Sequence, residues 1–144
     1  MLAHLYLRKG MVFIPVVAKT DSGFYLDIEP VAVAEASDRD GLMRAIKEAL
    51  SRDNPVIPTP MRDAFPKPVV LKYANVKSWS TFEKGTSLWS VDAKDSVYQI
   101  RPQRKHPEGG WEDDPAKTEI LPCGITIDEI VQRIAKRVQS ADGK

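Results

Sequence analysis

Only two long stretches of this sequence carry the 3.6-residue apolar period of an amphipathic helix. Between Ser37 and Asp53, Leu42, Ile46, Ala49 and Leu50 fall on one stripe, flanked by Met43 and Ala45. Near the C-terminus, Ile127, Ile130, Val131, Ile134 and Val138 repeat at the same spacing. Most other apolar residues alternate with period two or stand beside prolines. Such a chain has to build a sheet from hairpins and lay a few helices on it, which predicts an α+β fold with an antiparallel sheet. Its 144 residues are enough for one domain. The expected domain is 1–139, and the small polar tail 140–144 is expected to fray.

The helix limits follow from local chemistry. The first helix is expected at 38–52, capped by Ser37 or Asp38 and stopped at Asn54-Pro55, because a residue before proline avoids helical angles. A short helix is expected near 78–84, ended by Gly85. The last is expected at 127–140. Thr126 and Glu129 have the spacing of a capping box, with Ile125 and Ile130 as its staple. Met11–Lys19 is β-branched and reads as a strand in which Pro15 requires an edge or a bulge. Thr20-Asp21-Ser22-Gly23 is a turn, followed by a half-buried strand from Phe24 that Pro30 interrupts, with Val31–Ala34 resuming it. Val69–Tyr73 reads as another strand. Thr86–Asp92 and Val97–Arg101 read as a hairpin, and Lys117–Leu121 as a last strand. The segment 55–68 holds Pro58, Pro60, Pro66 and Pro68, so it is expected to cross in extended form, with Ile57, Met61 and Phe65 packed over the core.

Composition removes several function classes. Twenty-one Lys and Arg against twenty Asp and Glu leave a formal charge of +1, so no global field gathers nucleic acid or an anionic membrane. A single cysteine, Cys123, allows neither an internal disulfide nor a cysteine metal cage, and no base stands beside it in sequence. No apolar run is long enough to span a membrane. Met1–Lys9 carries its charges after the apolar part, unlike a secretory signal, so a cytoplasmic protein is expected. No serine has a nucleophile-elbow context, and Gly109-Gly110 lacks the setting of a phosphate loop. No catalytic set, metal or cofactor is expected.

The residues left with chemistry to offer cluster in the charged stretch Pro102–Ala116 and its approach. Arg101, Arg104, Lys105 and His106 form a basic group, Glu112, Asp113 and Asp114 an acidic one, and Trp111 stands between them after the two glycines. Tryptophan and arginine dominate interface hot spots, so this stretch is the expected partner-binding surface. Two other chemistries use the same residues. His106 with the acids could hold a metal in an enzyme. The Arg101–His106 cluster beside Trp111 could track a phosphate backbone, although the following acids oppose it. Asp27 and Glu29 share a strand face, as a carboxylate pair or as solvent-facing alternation. Trp79 and Trp89 read as core.

The segment Phe13 to Leu50 (FIPVVAKTDSGFYLDIEPVAVAEASDRDGLMRAIKEAL) resembles the β-β-β-α outline of HicB-type antitoxins: a strand, a charged turn ending in Gly23-Phe24-Tyr25, a second strand and a helix around Ala45–Ala49. No helix-turn-helix follows it. The chain as a whole is similar in kind to immunity proteins of bacterial toxin systems, including contact-dependent inhibition. The resemblance implies a non-enzymatic protein whose partner is a cognate toxin domain, held and blocked sterically.

Overall fold

The centre of the sheet comes from the very start of the chain. In the computed structural model, which describes residues 1–143, β1 (Leu2–Arg8) lies between β2 (Met11–Thr20) and β5 (Thr86–Lys94). Its alternation explains that place. Ala3, Leu5 and Leu7 point to one face, and His4, Tyr6 and Arg8 to the other. Met1–Lys9 is unlike a secretory signal, and β1, which it forms, is not among the strands expected above.

The main sheet order is β3-β2-β1-β5-β6-β7, with β3 at Tyr25–Glu35, β6 at Val97–Lys105 and β7 at Trp111–Asp113. These neighbours all pair antiparallel. A two-residue β4 (Val56–Ile57) adds a parallel pairing to β2, and β8 (Glu119–Leu121) pairs with β6. The α+β expectation holds. The β5–β6 hairpin turns on Asp95 and Ser96, both in the left-handed region at φ 53° and 65°, as a tight hairpin turn requires.

Prolines are placed where the ladder breaks. The β2–β3 register shifts between Pro15 and Val16, which pair with Val31 and Ile28. Glu29 and Pro30 are therefore the extra residues, and β3 runs through Pro30 as one bulged strand instead of two.

One face of the sheet is covered by α1 (Arg39–Leu50) and α4 (Ile127–Ala141), close to the expected limits. Asp38 caps α1 through Gly41 N at 3.1 Å, and Thr126 caps α4 through Glu129 N at 3.2 Å. Leu42, Ile46 and Leu50 from α1 meet Ile130, Val131, Ile134 and Val138 from α4 over Leu5, Ile14, Val91 and Ile100 of the sheet. Ser140 and Ala141, expected to begin the tail, close α4, and Lys144 lies outside the described residues.

The other face is covered by two short helices, α2 (Val70–Ala74) and α3 (Trp79–Glu83). Here the expected strand at Val69–Tyr73 is corrected. Val70 and Leu71 bury one side of a single helical turn that follows Pro68 and ends at Asn75, whose φ is 58°. A five-residue apolar run fits either period, and the proline before it favours a helix start. These helices cover Tyr6, Phe13 and Val31, with Phe82 of α3 as the buried plug. Buried Arg8 ties β1 to the end of α3 by donating to the carbonyls of Phe82, at 3.2 Å, and Lys84.

The proline-rich segment does not cover the core as expected. Met61 is 73 % exposed, and Phe65 is 48 % exposed, stacked on Phe24. The segment is extended except for a single 3-10 turn at Arg62–Ala64, and of Ile57, Met61 and Phe65 only Ile57, paired with Thr20 of β2, is half-buried. Cys123 is exposed in the turn before α4.

Candidate functional site

β6 and β7 form a hairpin at the far edge of the sheet. It gathers all eight of the charged and aromatic residues expected to contact a partner. The charged stretch Pro102–Ala116 thus contains paired strand at 102–105 and 111–113, with Gln103 opposite Asp113, Arg104 opposite Glu112 and Lys105 opposite Trp111. Its tip closes through His106 N to the Gly110 carbonyl at 2.9 Å and Gly109 N to the His106 carbonyl at 3.0 Å. Gly109 and Gly110 take φ of 101° and 75°, angles that a Cβ opposes. They turn the chain so that Trp111 comes back onto the fold.

Strand alternation divides the eight residues between two faces. Arg101, Lys105, Trp111 and Asp113 face the α2/α3 side. Arg104, Glu112 and Asp114 face the α4 side, and His106 stands at the tip. On the first side, Trp111 is partly buried, edge-on to Tyr6 at 6.1 Å and to Trp79 at 5.5 Å between ring centroids. The Lys105 ammonium sits 4.6 Å above the Trp111 ring and donates to the Glu83 carbonyl. Burial, opposed by Glu83 and aided by Arg8, holds the Lys105 pKa below its ordinary value. Arg101 bridges two strands, reaching Asp92 at 2.8 Å and Asp113 at 3.1 Å. Asp113 also accepts from Gln103 at 2.5 Å, and these bonds hold its carboxyl below the usual range.

On the second side, Arg104 donates to Glu112 at 3.0 Å and lies 4.0 Å from Asp114. His106 Nδ1 accepts from Glu108 N at 3.0 Å, which leaves Nε2 facing Glu112 at 4.0 Å. The acids are engaged by arginines, and among the described residues no three His, Cys, Asp or Glu side chains converge as metal ligands do. What the hairpin offers chemically is a patterned, partly ion-paired edge strand with an aromatic backing.

That backing was not legible in the sequence. Glu83, from α3, accepts from Trp79 Nε1 at 3.1 Å and from Gly110 N at 2.7 Å, which clamps the hairpin tip to the short helix. No spacing rule links residues 83 and 110. Tyr6 completes the cluster from β1, and the alternation of His4, Tyr6 and Arg8 was the signal that could have revealed it.

Asp27 and Glu29 separate. Asp27 turns inward, accepting from Tyr6 Oη at 2.5 Å and lying 2.7 Å from His4 Nδ1. Burial, and then the charge of Asp27, push the Tyr6 hydroxyl well above its ordinary pKa. Glu29 faces outward to Lys72 and Tyr73. Both residues border a groove of about 640 Å³ against Pro66–Val69 and α2.

No family model and no curated protein sequence matches the chain, so the antitoxin outline over 13–50 gains no family. Solved structures do match. A protein of unknown function from Neisseria meningitidis aligns at a TM-score of 0.64 and 14% identity, over 96% of this chain and 92% of that one. A chain of the CdiA-CT/CdiI toxin and immunity complex from Yersinia pseudotuberculosis aligns at a TM-score of 0.63 and 15% identity, over 99% of this chain and 97% of that one. At such identities the likeness is one of fold, and it extends over nearly the whole of each chain.

Proposed function

We propose that this chain is a non-enzymatic, cytoplasmic immunity protein that binds a cognate toxin domain and blocks it sterically, with no cofactor. The observation that carries this reading is the full-length fold likeness to a chain of a toxin and immunity complex. The hairpin supports it. An edge hairpin with cations on β6 and carboxylates on β7, backed by an aromatic cluster, has the pattern that selects one partner by complementary charge and speeds its capture. Arg101, Arg104, Lys105, His106, Trp111, Glu112, Asp113 and Asp114 form the contact surface in this reading. Arg104, His106 and Glu112 make the outward polar contacts, and Trp111 holds the strand in place. The pairing of Arg101 and Arg104 with carboxylates favours a protein partner over a phosphate backbone.

The test begins with capture of the partner of the tagged full chain at moderate salt. The captured protein is then produced in cells with and without this chain. The reading predicts growth arrest by the partner alone and rescue by the chain. Exchanging the charges (Arg104→Glu with Glu112→Arg) keeps the internal ion pair but reverses its polarity, and should abolish rescue while the protein stays folded. A harmless partner, or toxicity that persists beside the intact chain, contradicts the reading.

A further inference from the structure

Among the described residues, eight large apolar side chains stand exposed, and five of them, Phe24, Tyr25, Val56, Met61 and Phe65, belong to the segment 55–68 or to residues 24–25 at the β2–β3 turn. An apolar patch of this kind marks an interaction surface. The segment is pinned to that turn at two places. Thr59 N donates to Asp21 Oδ1 at 3.1 Å, and Ser22 N donates to Thr59 Oγ1 at 3.1 Å. Phe65 stacks on Phe24 with 5.9 Å between ring centroids. Between the two pins, Ala64 N closes onto the Met61 carbonyl at 2.8 Å. This fixed turn holds Met61 outward, 73 % exposed. Beyond Phe65 the chain enters the wall of the groove of about 640 Å³ beside β3. Pro66 and Pro68 line that groove together with Val69 and Val76, which pack on the aromatic cluster. Of its charged groups, Glu29 is held by Lys72, and Asp27 accepts from Tyr6. Lys67 and Lys77, which also line it, make no ion pair among the described residues, and neither does Asp63 in the turn.

We propose that this surface joins two copies of the chain about a two-fold axis, with Met61 of each copy seated in the groove of the other and Asp63 against Lys67 and Lys77 of that copy. A two-fold contact needs a projection and its receptacle on one surface, because each copy must offer both. Here one uninterrupted stretch, Met61–Val69, supplies the projection and a wall of the receptacle. A foreign partner would use the receptacle and leave the pinned projection beside it idle. The charges fit the same occupant. The projection carries a carboxylate, the rim carries two unpaired ammonium groups, and symmetry makes that contact twice. Arg62 stands roughly 120° around the 3-10 turn from Asp63, so it does not cancel the carboxylate at one spot. A turn already pinned at both ends loses little freedom on docking. The groove lies beside β3 and the β6–β7 hairpin at the opposite end of the sheet, so a dimer leaves both hairpins open. The inference goes beyond the immunity reading and does not rest on it.

The test is sedimentation equilibrium of the full chain from low micromolar to near-millimolar concentration. The parent should pass reversibly from the mass of one chain to the mass of two. Met61→Lys, which puts a charge into the apolar groove, should weaken association on the order of tenfold or more. Asp63→Lys should weaken it as well. Asp63→Lys with Lys67→Glu and Lys77→Glu exchanges the two sides of the contact and should restore it. Ile120→Lys, which removes another exposed apolar side chain, on β8, should leave it unchanged. All of these side chains are exposed, so the variants keep the fold, which amide dispersion verifies. A single-chain mass at every concentration overturns the proposal, as does a dimer that Met61→Lys leaves intact or a charge exchange that fails to restore association. Protection of 59–68 by a captured partner protein, with the free chain monomeric, also overturns it and gives the groove to that partner. None of the masses involves toxin rescue, so the dimer and the immunity reading fail separately.

Discussion

The two faces of the sheet are built on different principles. The face under α1 and α4 is aliphatic apart from Trp89 and Tyr98, closed by two long capped helices, with Leu42, Ile46, Ile130 and Ile134 each at most 1 % exposed. The face under α2 and α3 is aromatic, closed by five-residue helices, and laced with polar tethers: Arg8 to carbonyls, Tyr6 and His4 to Asp27, and Glu83 to the hairpin tip. A single helical turn has little stability of its own, so this second face depends on what it packs against. The difference teaches where each job is done. The aliphatic side supplies the scaffold, and the aromatic side positions the β6–β7 hairpin.

The largest effect expected from breaking this arrangement is Phe82→Ala. Phe82 is fully buried and touches Tyr6, Phe13 and Trp79. Its loss should cost about 4 kcal/mol in urea unfolding and loosen the hairpin. Ile134→Ala should cost a comparable or slightly smaller amount, about 3 kcal/mol, yet leave the hairpin amides of the folded protein in place. Equal loosening of the hairpin in both variants would erase the distinction between the faces.

Trp111→Ala comes next, at about 2 kcal/mol, because Trp111 is only partly buried but loses two aromatic edges and the Lys105 cation above it. It should weaken partner binding by more than this loss of stability explains. Proportional losses would make Trp111 structural alone.

A smaller effect tests the buried tether. The Tyr6 hydroxyl is held above its ordinary pKa of 10.0, so the folded state retains the proton that the unfolded chain gives up. That contribution is fully present below pH 10 and is lost as the pH rises through the raised value. Tyr6→Phe should cost about 1 kcal/mol at pH 8 and flatten the alkaline fall in urea midpoint. An unchanged fall would assign it to other groups. The smallest effect is Asp113→Asn, about 0.5 kcal/mol for an exposed pair. Because the Asp113 carboxyl is held low, its contribution exists at neutral pH and is lost as the pH falls through that lowered value. The variant should therefore lose less stability in acid than the parent.

The same division governs what could be read in advance. Caps and long periods are local, so α1, α4 and the turn at Asp95-Ser96 were legible from Asp38, Thr126 and the flanking alternation. The aromatic face is assembled from residues far apart in sequence, and little in the local pattern announces it. Val69–Tyr73 fits two periods at five residues. The pairing of Lys105 with Trp111 was hidden in a run of charges. Met61 and Phe65 were expected inside because apolar residues usually are, but the prolines around them keep them out. The candidate residues of the hairpin were found as a set. Their split across two faces, and the Glu83 clamp behind them, required the fold.

The most direct measurement is hydrogen exchange of the full chain, free and bound to the toxin domain that it captures. The account predicts slowed exchange over 101–114. Protection centred on the exposed proline-rich segment 55–68, with 101–114 unchanged, would contradict it.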